Sequence, residues 1–225
     1  SVYNTSGDYE YYTPAASGCD SLTVLHLTVG QPTFENNTVS ACNSYPWNGS
    51  TYTQSGTYTY VTTNSSGCPN TATLNLTIQP TVMPTFNAAG PYCQGANIPA
   101  MPTTSTNGIS GEWSPAMNNQ TTTTYTFTPS ANQCATNTTL TVAINTPSAA
   151  PTSATASSTS VSANTAVTLT VNGGSLGTGA QWRWYRTSCG GTLLGTGASI
   201  IVAPSATETY FVRAEGTCNT TACAS

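Results

Sequence analysis

The sequence predicts an all-β protein made of small tandem β-sandwiches arranged as an elongated array. Charged residues make up only 4% of the 225 residues, whereas Thr, Tyr and Val are frequent and Gly and Pro recur throughout. This composition is typical of short strands joined by tight turns. Apolar residues alternate with Thr or Asn, which is the period of a half-buried strand, and no segment has the three-to-four residue spacing of an amphipathic helix.

An internal repeat organises the first part of the chain, because residues 1–30 match residues 50–79 at an offset of 49. The first copy contributes Tyr3, Gly7, Tyr9, Tyr11, Gly18, Cys19, Leu25 and Leu27, which match Tyr52, Gly56, Tyr58, Tyr60, Gly67, Cys68, Leu74 and Leu76. Residues 1–30 are therefore predicted to be the C-terminal half of a truncated repeat, and residues 31–80 a disulfide-stapled sandwich. Residues 81–146 repeat the same ending and are predicted to form a longer sandwich.

Residues 147–225 are predicted to form a fourth sandwich after a joint rich in Pro, Ser and Ala. Four strand-like runs alternate with Gly-rich turns in this region, namely Val167–Val171, Trp182–Tyr185, Ser199–Ala203 and Thr209–Arg213. We expect this unit to be truncated at its last strand. Because the chain opens at Ser1 with neither Met nor a signal peptide, we interpret it as a processed product or an excised fragment.

Charge and cysteine usage exclude several classes of partner. The chain has no lysine and a formal net charge of −4, so it offers no basic surface for phosphates and is not expected to bind nucleic acid. No apolar run is long enough for direct membrane insertion. The eight cysteines are widely spread and lack the paired histidines of a zinc site, which favours disulfides and an extracellular location.

The candidate catalytic residues are better explained as a solvated face. Asp8 and Glu10 lie two apart on a predicted strand, at roughly 7 Å, a carboxylate spacing that glycosidases use. The repeat places Thr57 and Thr59 at the same positions, so both acids are expected to face solvent. His26 is the only histidine and cannot complete a Ser-His-Asp system. We therefore predict that the chain is not an enzyme.

Metal ions and cofactors are not expected either. Calcium stiffens tandem domains where carboxylates cluster at the joints. The joints here, Thr28–Pro32, Ile78–Thr81 and Asn145–Ser148, contain no carboxylate. Proline and short length are expected to supply the stiffness.

Aromatic residues are assigned mainly to the core. Tyr58 and Tyr60 alternate with threonines, which predicts that their rings pack inside a small sandwich. The same reasoning assigns Trp182 and Trp184 to the core of the fourth unit. Trp47 and Trp113 lie near Pro and Gly in turns, and they are the candidate ligand-contact aromatics if the chain is a binding module.

Several blocks resemble a known family. Val39–Tyr52, followed by Ser55–Tyr60 and Gly67–Cys68, resembles repeats of Bacteroidota surface adhesins, of which the SprB-type gliding adhesins are members. Two further blocks, Gly90–Gly95 and Gly111–Pro115, are similar to another repeat class of these proteins. A third set resembles their immunoglobulin-like domains, namely Trp182–Tyr185, Cys189–Gly191 and Tyr210–Gly216.

This resemblance implies small immunoglobulin-like sandwiches within a long filament that is exported by type 9 secretion and displayed on the bacterial cell surface. Its implied partners are a surface polysaccharide or other extracellular ligand, bound by regions outside this fragment, and the outer-membrane attachment and secretion machinery. In some members such filaments move along the surface during gliding motility. Asp20-Ser21-Leu22 also resembles the Bacteroidota O-glycosylation signal, which makes Ser21 a candidate modification site, although a plain turn after Cys19 explains these residues equally well.

The repeats also predict cysteine pairs. Cys42 and Cys68 occupy the same places in their unit as Cys93 and Cys134 do in the next, so we pair 42 with 68 and 93 with 134. Each such bond would contribute on the order of 3 to 4 kcal/mol in the chain-entropy model. Cys19 matches Cys68, and its partner is expected upstream of the fragment.

In the fourth unit the first cysteine of the usual pair is missing, and elimination pairs Cys189 with Cys223. Bonds between Cys189 and Cys218, or between Cys218 and Cys223, are also sterically conceivable.

Two functions remain open at this point. The first is a structural stalk segment of a cell-surface adhesin, supporting adhesion and, in motile members, gliding. The second is a carbohydrate-binding or substrate-targeting module of a secreted enzyme, which would present exposed, coplanar aromatic rings.

Overall fold

The computed structural model describes residues 2–225, and these residues form eighteen β-strands and no helix. The chain divides into two compact units, one ending at Val82 and the other spanning Met83–Ser225. The all-β class predicted from composition and alternation is confirmed.

The first unit contains β1 (Gly7–Thr13), β2 (Ser21–Leu27), β3 (Thr33–Cys42), β4 (Tyr45–Trp47), β5 (Ser50–Tyr52), β6 (Gly56–Thr63) and β7 (Pro69–Gln79). The second unit begins with β8 (Tyr92–Cys93), β9 (Gly111–Ser114), β10 (Thr123–Pro129), β11 (Thr138–Val142) and β12 (Ile144–Asn145). It continues with β13 (Ser153–Ala156), β14 (Val167–Asn172), β15 (Gln181–Arg186), β16 (Thr192–Thr196), β17 (Ser199–Val202) and β18 (Tyr210–Glu215).

Two hairpins of the first unit share one register. β1 pairs antiparallel with β2, and Gly7 lies opposite Leu27. β6 pairs antiparallel with β7, and Gly56 lies opposite Leu76. Adding 49 to every residue number of the first pairing reproduces the second along the whole of β1. The repeat seen in the sequence is therefore a repeat of backbone pairing as well.

A tyrosine hydroxyl ties each of these hairpins to the chain that precedes it. Tyr9 and Tyr58 each donate to the carbonyl oxygen four residues upstream, at 2.8 and 2.9 Å. In the second unit the Tyr125 hydroxyl accepts a hydrogen bond from the Asn118 amide at 2.8 Å. Such a tyrosine corner recurs in immunoglobulin-like sandwiches, where it fixes the entry of one strand.

β3 distinguishes the second hairpin from the first. It lies parallel to β7 over ten residues, from Thr33 opposite Asn70 to Cys42 opposite Gln79, so β7 is the central strand of a three-stranded sheet. Leu74 and Leu76 of β7 are buried. The β1–β2 hairpin forms a two-stranded sheet of its own, and no further strand pairs with it within residues 2–225.

The aromatic residues of the first unit are packed less deeply than predicted. Trp47 on β4 is half-buried, and its ring centroid lies 6.2 Å from that of Tyr52 and 6.3 Å from that of Tyr60. Tyr58 is also half-buried, whereas Tyr60 is exposed. The core assignment of Tyr60 is therefore wrong, because 44% of this residue is exposed even though its ring contacts Trp47.

The predicted bond between Cys42 and Cys68 does not form, because Cys68 is a free thiol. The parallel pairing of β3 with β7 puts Cys42 opposite Gln79, whereas Cys68 precedes Pro69 at the other end of β7. Ten strand residues separate the two ends by about 33 Å, far beyond the Cα separation of about 7 Å that a disulfide tolerates. Cys42 itself is not a free thiol.

The first sandwich of the second unit contains the sheet β9–β10–β11 and the short parallel pair β8–β12. Tyr125, Phe127, Val142 and Ile144 are buried at its centre. The Phe86 ring lies 4.7 Å from both the Trp113 ring and the Phe127 ring. These tilted aromatic contacts supply much of the apolar burial of a small sandwich.

The predicted bond between Cys93 and Cys134 is also wrong, because Cys93 bonds to Cys218. β8 is parallel to β12, which places Cys93 opposite Asn145. Cys134 lies before β11, and β11 leads into β12. An extended chain of that length places Cys134 roughly 20 Å from Asn145 and therefore from Cys93. Cys134 is not a free thiol.

The second sandwich of this unit has two three-stranded sheets, β13–β14–β17 and β16–β15–β18. Their facing sides bury Val167, Leu169, Trp182, Trp184, Val212 and Ala214. The indole N–H of Trp184 donates to the carbonyl of Gly197 at 3.0 Å, which satisfies the one polar atom of a fully buried ring. The core assignment of Trp182 and Trp184 is confirmed.

The segment that follows β18 returns along it. Val212 and Ala224 exchange two backbone hydrogen bonds of 2.9 Å, and Glu215 is bridged to Thr220. Residues 220–224 thus pair with β18 through these bridges, and the truncation of this unit at its last strand stays a prediction.

Candidate functional site

The junction between the two sandwiches of the second unit is the most elaborate polar site of the described chain. It is closed covalently by Cys93–Cys218, whose Cα atoms lie 5.4 Å apart although the cysteines are 125 residues apart in sequence. The Cys218 sulfur also lies 3.6 Å from the Asn145 carbonyl oxygen. The bond therefore joins the end of the first sandwich to the last hairpin of the second.

Hydrogen bonds hold the segment that crosses the junction. The Thr146 amide donates to the Thr178 hydroxyl at 3.0 Å, and the Thr178 amide donates to the Thr146 carbonyl at 3.0 Å. Ser148, a buried residue, donates its amide to the Asn219 side chain at 2.8 Å and accepts from the Asn219 amide group at 2.8 Å. The crossing segment is thus bonded to two loops of the following sandwich.

Gly177 allows the chain to approach this segment closely. A Cβ atom at this position would lie 2.2 Å from the Thr146 carbonyl oxygen and 2.6 Å from the Pro147 carbonyl carbon. Its amide donates to the Ser148 hydroxyl at 2.9 Å. Only glycine fits here without displacing backbone, so the junction has the tight packing of a domain interior.

A charged cluster lies on the outer side of the β15–β18 pair. All three cationic side chains of the sequence, Arg183, Arg186 and Arg213, lie on these two strands. Arg183 and Arg213 are direct cross-strand neighbours, an arrangement that is unfavourable for like charges unless an anion intervenes. Glu215 provides that anion, at 2.6 Å from Arg213 and 3.5 Å from Arg183.

Tyr185 completes the cluster beneath Arg213. Its hydroxyl donates to Glu215, and the Arg213 guanidinium lies 5.2 Å from the centre of its ring, within the range of a cation–π contact. The hydrogen bond from Tyr185 is the main cause that lowers the pKa of Glu215, and the hydrogen bond from Arg213 lowers it further. The hydrogen bond to Glu215 raises the pKa of Arg213. Burial is the main cause of the raised pKa of Tyr185.

The second disulfide covers this cluster. Cys189 bonds to Cys223, the pairing favoured by elimination, and the Cα atoms are 6.0 Å apart. The Arg213 guanidinium lies 3.7 Å from the Cys189 sulfur. A Cβ atom on Gly190 would lie 3.0 Å from the same guanidinium. The cluster is therefore internally paired and partly covered, which is the arrangement of a structural ion network.

The acidic residues considered for catalysis lie exposed on β1, as predicted from the repeat. Asp8 lies 2.6 Å from the His26 ring nitrogen across the strand pair. Glu10 accepts from the Tyr12 hydroxyl at 3.0 Å. The two carboxylates are thus exposed and have separate partners.

The two candidate ligand-contact tryptophans are both half-buried. Trp113 packs against the Phe86 and Phe127 rings, and its indole N–H donates to the Pro102 carbonyl at 2.9 Å. Its ring packs against the core of the first sandwich, and its ligand role stays a prediction. The ligand role of Trp47 likewise stays a prediction.

Two further predicted residues lie on the surface of the first hairpin. Ser21 is exposed at the start of β2, opposite Thr13, and its glycosylation stays a prediction. Cys19 is an exposed free thiol.

Sequence reasoning missed the partners that define the junction and the charged cluster. Ser148 and Asn219 are ordinary loop residues in sequence, and Arg183 lies about thirty residues before Arg213 and Glu215. The concentration of every cation in one unit was a visible signal for the cluster.

Within residues 2–225, no group of three His, Cys, Asp or Glu side chains is arranged to hold a metal ion. No helix among them is long and apolar enough to cross a membrane.

Comparison with known proteins supports the immunoglobulin-like fold of the last sandwich. Residues 147–225 match the family model described as an Ig-like domain, CHU_C associated. Among solved structures, the chain is similar to the N-terminal four Ig domains of Dscam1 isoforms 7.44 and 6.9, at 10% and 11% sequence identity and a TM-score of 0.32 for each. Each alignment covers 98% of this chain and 79% of the other. A search of curated proteins finds no match.

The family match and the two facing sheets around Trp184 agree on one assignment. The disulfides indicate an extracellular or secreted protein, since such bonds persist in oxidising compartments. The chain is an all-β protein of immunoglobulin-like sandwiches, and its residues 147–225 are consistent with a bacterial Ig-like repeat.

Proposed function

We propose that this chain is a structural stalk segment of a long, type 9 secreted adhesin filament on the bacterial cell surface. It supports adhesion by holding a binding region away from the membrane, and gliding in bacteria whose adhesins move. The role is mechanical and non-catalytic. Its partners are the outer-membrane attachment and secretion machinery and, through other regions of the filament, an extracellular ligand such as a polysaccharide.

The observation that carries this proposal is the covalent bond between two consecutive sandwiches. A segment under tension must keep its length, and Cys93–Cys218 gives the load a short covalent path around both sandwiches of the second unit. The hydrogen-bonded crossing at Thr146 and Ser148 resists bending at the same place. Folded domains that are bypassed in this way cannot be extended while the bond is intact.

Single-molecule force spectroscopy on the full chain, with handles at Met83 and Ser225, tests the mechanical role. In the wild-type protein the residues between Cys93 and Cys218 should add no length at any force below bond rupture. The double variant Cys93→Ser/Cys218→Ser should gain at most the 125-residue separation less the 34 residues still held by Cys189–Cys223, because Cys134 is also disulfide-bonded. That difference is about 90 residues, or roughly 300 Å.

The matched control is Cys189→Ser/Cys223→Ser, which should gain no length because the Cys93–Cys218 bond still bypasses that loop. A wild-type chain that extends as far as the first variant would contradict the stalk role. Retention of the chain on polysaccharide, lost in Trp47→Ala, would show instead that it is a targeting module.

A further inference from the structure

The β1–β2 hairpin has an open edge where the equivalent β6–β7 hairpin is paired. We propose that the free edge of β2 is a docking site for a parallel β-strand that ends in cysteine, and that Cys68 is the thiol that locks this strand in place. The occupant is a strand of the β3 type, supplied by a further repeat of the same kind. Four observations lead to this site.

The first observation is the equivalence of the two hairpins. Beyond their common register, the Ser6 hydroxyl accepts from the Val29 amide at 2.8 Å, and the Ser55 hydroxyl accepts from the Ile78 amide at 2.9 Å. The rings of Tyr3 and Tyr9 lie 3.8 Å apart, and those of Tyr52 and Tyr58 lie 4.0 Å apart. β2 is therefore the structural counterpart of β7, and its free edge corresponds to the edge of β7 that pairs with β3.

The second observation is the surface that the missing strand leaves open. Leu74 on β7 is fully buried, whereas its counterpart Leu25 on β2 is 47% exposed. Val24 and Leu22 on the same strand are exposed as well. An exposed strand edge with apolar side chains is a template for pairing with another strand.

The third observation is the position that the end of the docked strand would reach. Cys42, the last residue of β3, lies opposite Gln79. The same register on β2 places the last residue of the docked strand opposite Gly30, because Gly30 precedes Gln79 by the repeat offset of 49. A Cβ atom built on Gly30 would lie 2.5 Å from the Cys68 sulfur, so this thiol sits directly at that position.

The fourth observation is an occupied copy of this arrangement in the same molecule. In the second unit Cys93 ends a strand parallel to β12 and lies opposite Asn145. The Cys218 sulfur lies 3.6 Å from the Asn145 carbonyl oxygen and is bonded to Cys93. Gly30 corresponds to Asn145 and Cys68 to Cys218, and only the cysteine of the incoming strand is missing from the first unit.

The locking step is a thiol–disulfide exchange. The Cys68 thiolate attacks the sulfur of the strand's cysteine while that cysteine is held in a mixed disulfide with a small thiol. A new bond forms between the two protein sulfurs, and the small thiol leaves as a thiolate and takes up the proton released by Cys68. The number of disulfides is unchanged, so no further oxidant is needed.

The test uses the full chain and a synthetic ten-residue peptide with the sequence of Thr33–Cys42, carried as its mixed disulfide with glutathione. Peptide mapping by mass spectrometry should find the adduct on Cys68 rather than on the exposed Cys19. We expect the adduct to form at least tenfold faster than with a scrambled peptide of the same composition that also ends in cysteine. Hydrogen exchange should slow at the β2 amides and not at those of β7.

Two variants separate docking from thiol reactivity. Cys68→Ser should abolish the adduct while the free peptide, at high concentration, still protects the β2 amides. Cys19→Ser should leave both the adduct and the protection unchanged. A peptide with its cysteine moved two residues towards the N-terminus should still protect β2 but react more slowly.

Several results would overturn the proposal. Equal rates for the native and scrambled peptides, or an adduct without protection of β2, would mean that Cys68 is merely an accessible thiol. Protection of β2 that rises with protein concentration in the absence of peptide would mean that a second copy of the chain covers the edge instead.

Discussion

The hairpins β1–β2 and β6–β7 have the same pairing, the same tyrosine corner and the same serine contact, yet they differ in burial. Leu74 is completely buried, while Leu25 is half exposed. The difference is the parallel strand β3, which pairs only with β7. The comparison shows that local pairing is encoded within each hairpin, whereas the core of the repeat requires a strand from outside it.

The largest effect is expected at the matched leucines. Leu74→Ala should destabilise the first unit by about 3 kcal/mol, because a large apolar side chain is removed from a closed interior. Leu25→Ala should cost less than about 1 kcal/mol, since half of that side chain already contacts water. Hydrogen exchange followed by mass spectrometry, with and without denaturant, measures the first change at the β6 and β7 amides and the second at the β1 and β2 amides.

The wild-type protein provides the control for this pair of variants. Its β7 amides should exchange at least about a hundredfold more slowly than those of β2, because an isolated two-stranded hairpin is only marginally stable in water. Similar costs for the two substitutions would mean that β3 contributes little to the core.

A smaller effect is expected at the tyrosine corners. Tyr58→Phe removes the hydrogen bond to the Gln54 carbonyl and should destabilise the β6–β7 sheet by about 1 kcal/mol. Tyr9→Phe removes the equivalent bond to Thr5 and should have less effect on global unfolding, because its hairpin opens before the rest of the unit. Denaturant titration of both variants gives the two values, and a larger effect at Tyr9 would reverse the order of stability inferred here.

The smallest effect is expected at the cross-strand polar pair. Asp8 contacts His26 in the first hairpin, and Thr57 donates to Asn75 at 3.0 Å in the second. The double variant Asp8→Thr/His26→Asn installs the second pair in the first hairpin and should change stability by less than about 0.5 kcal/mol, since an exposed ion pair contributes little. Each single variant serves as a control, and a loss above 1 kcal/mol in thermal or chemical unfolding would show that the pair stabilises the hairpin.

The cysteines show where prediction from repeats succeeded and where it failed. The repeat correctly assigned equivalent positions to Cys42 and Cys93, since each lies opposite the last residue of a strand, Gln79 or Asn145. It failed for their partners because sequence alignment does not reveal whether two strands run parallel or antiparallel. In the parallel arrangement the two cysteines of one repeat lie at opposite ends of a strand, and Cys93 bonds instead to Cys218 of the following sandwich.

The amino-acid sequence by itself determined the all-β class, the 49-residue repeat and the registers of its hairpins, because alternation and turn residues act between near neighbours. It also determined that Trp182 and Trp184 lie in a core. Only the tertiary structure decided the parallel addition of β3, the bond between Cys93 and Cys218, and the pairing of Ser148 with Asn219. These contacts join residues tens to more than a hundred positions apart, and their geometry depends on how whole strands are oriented, which no local pattern records.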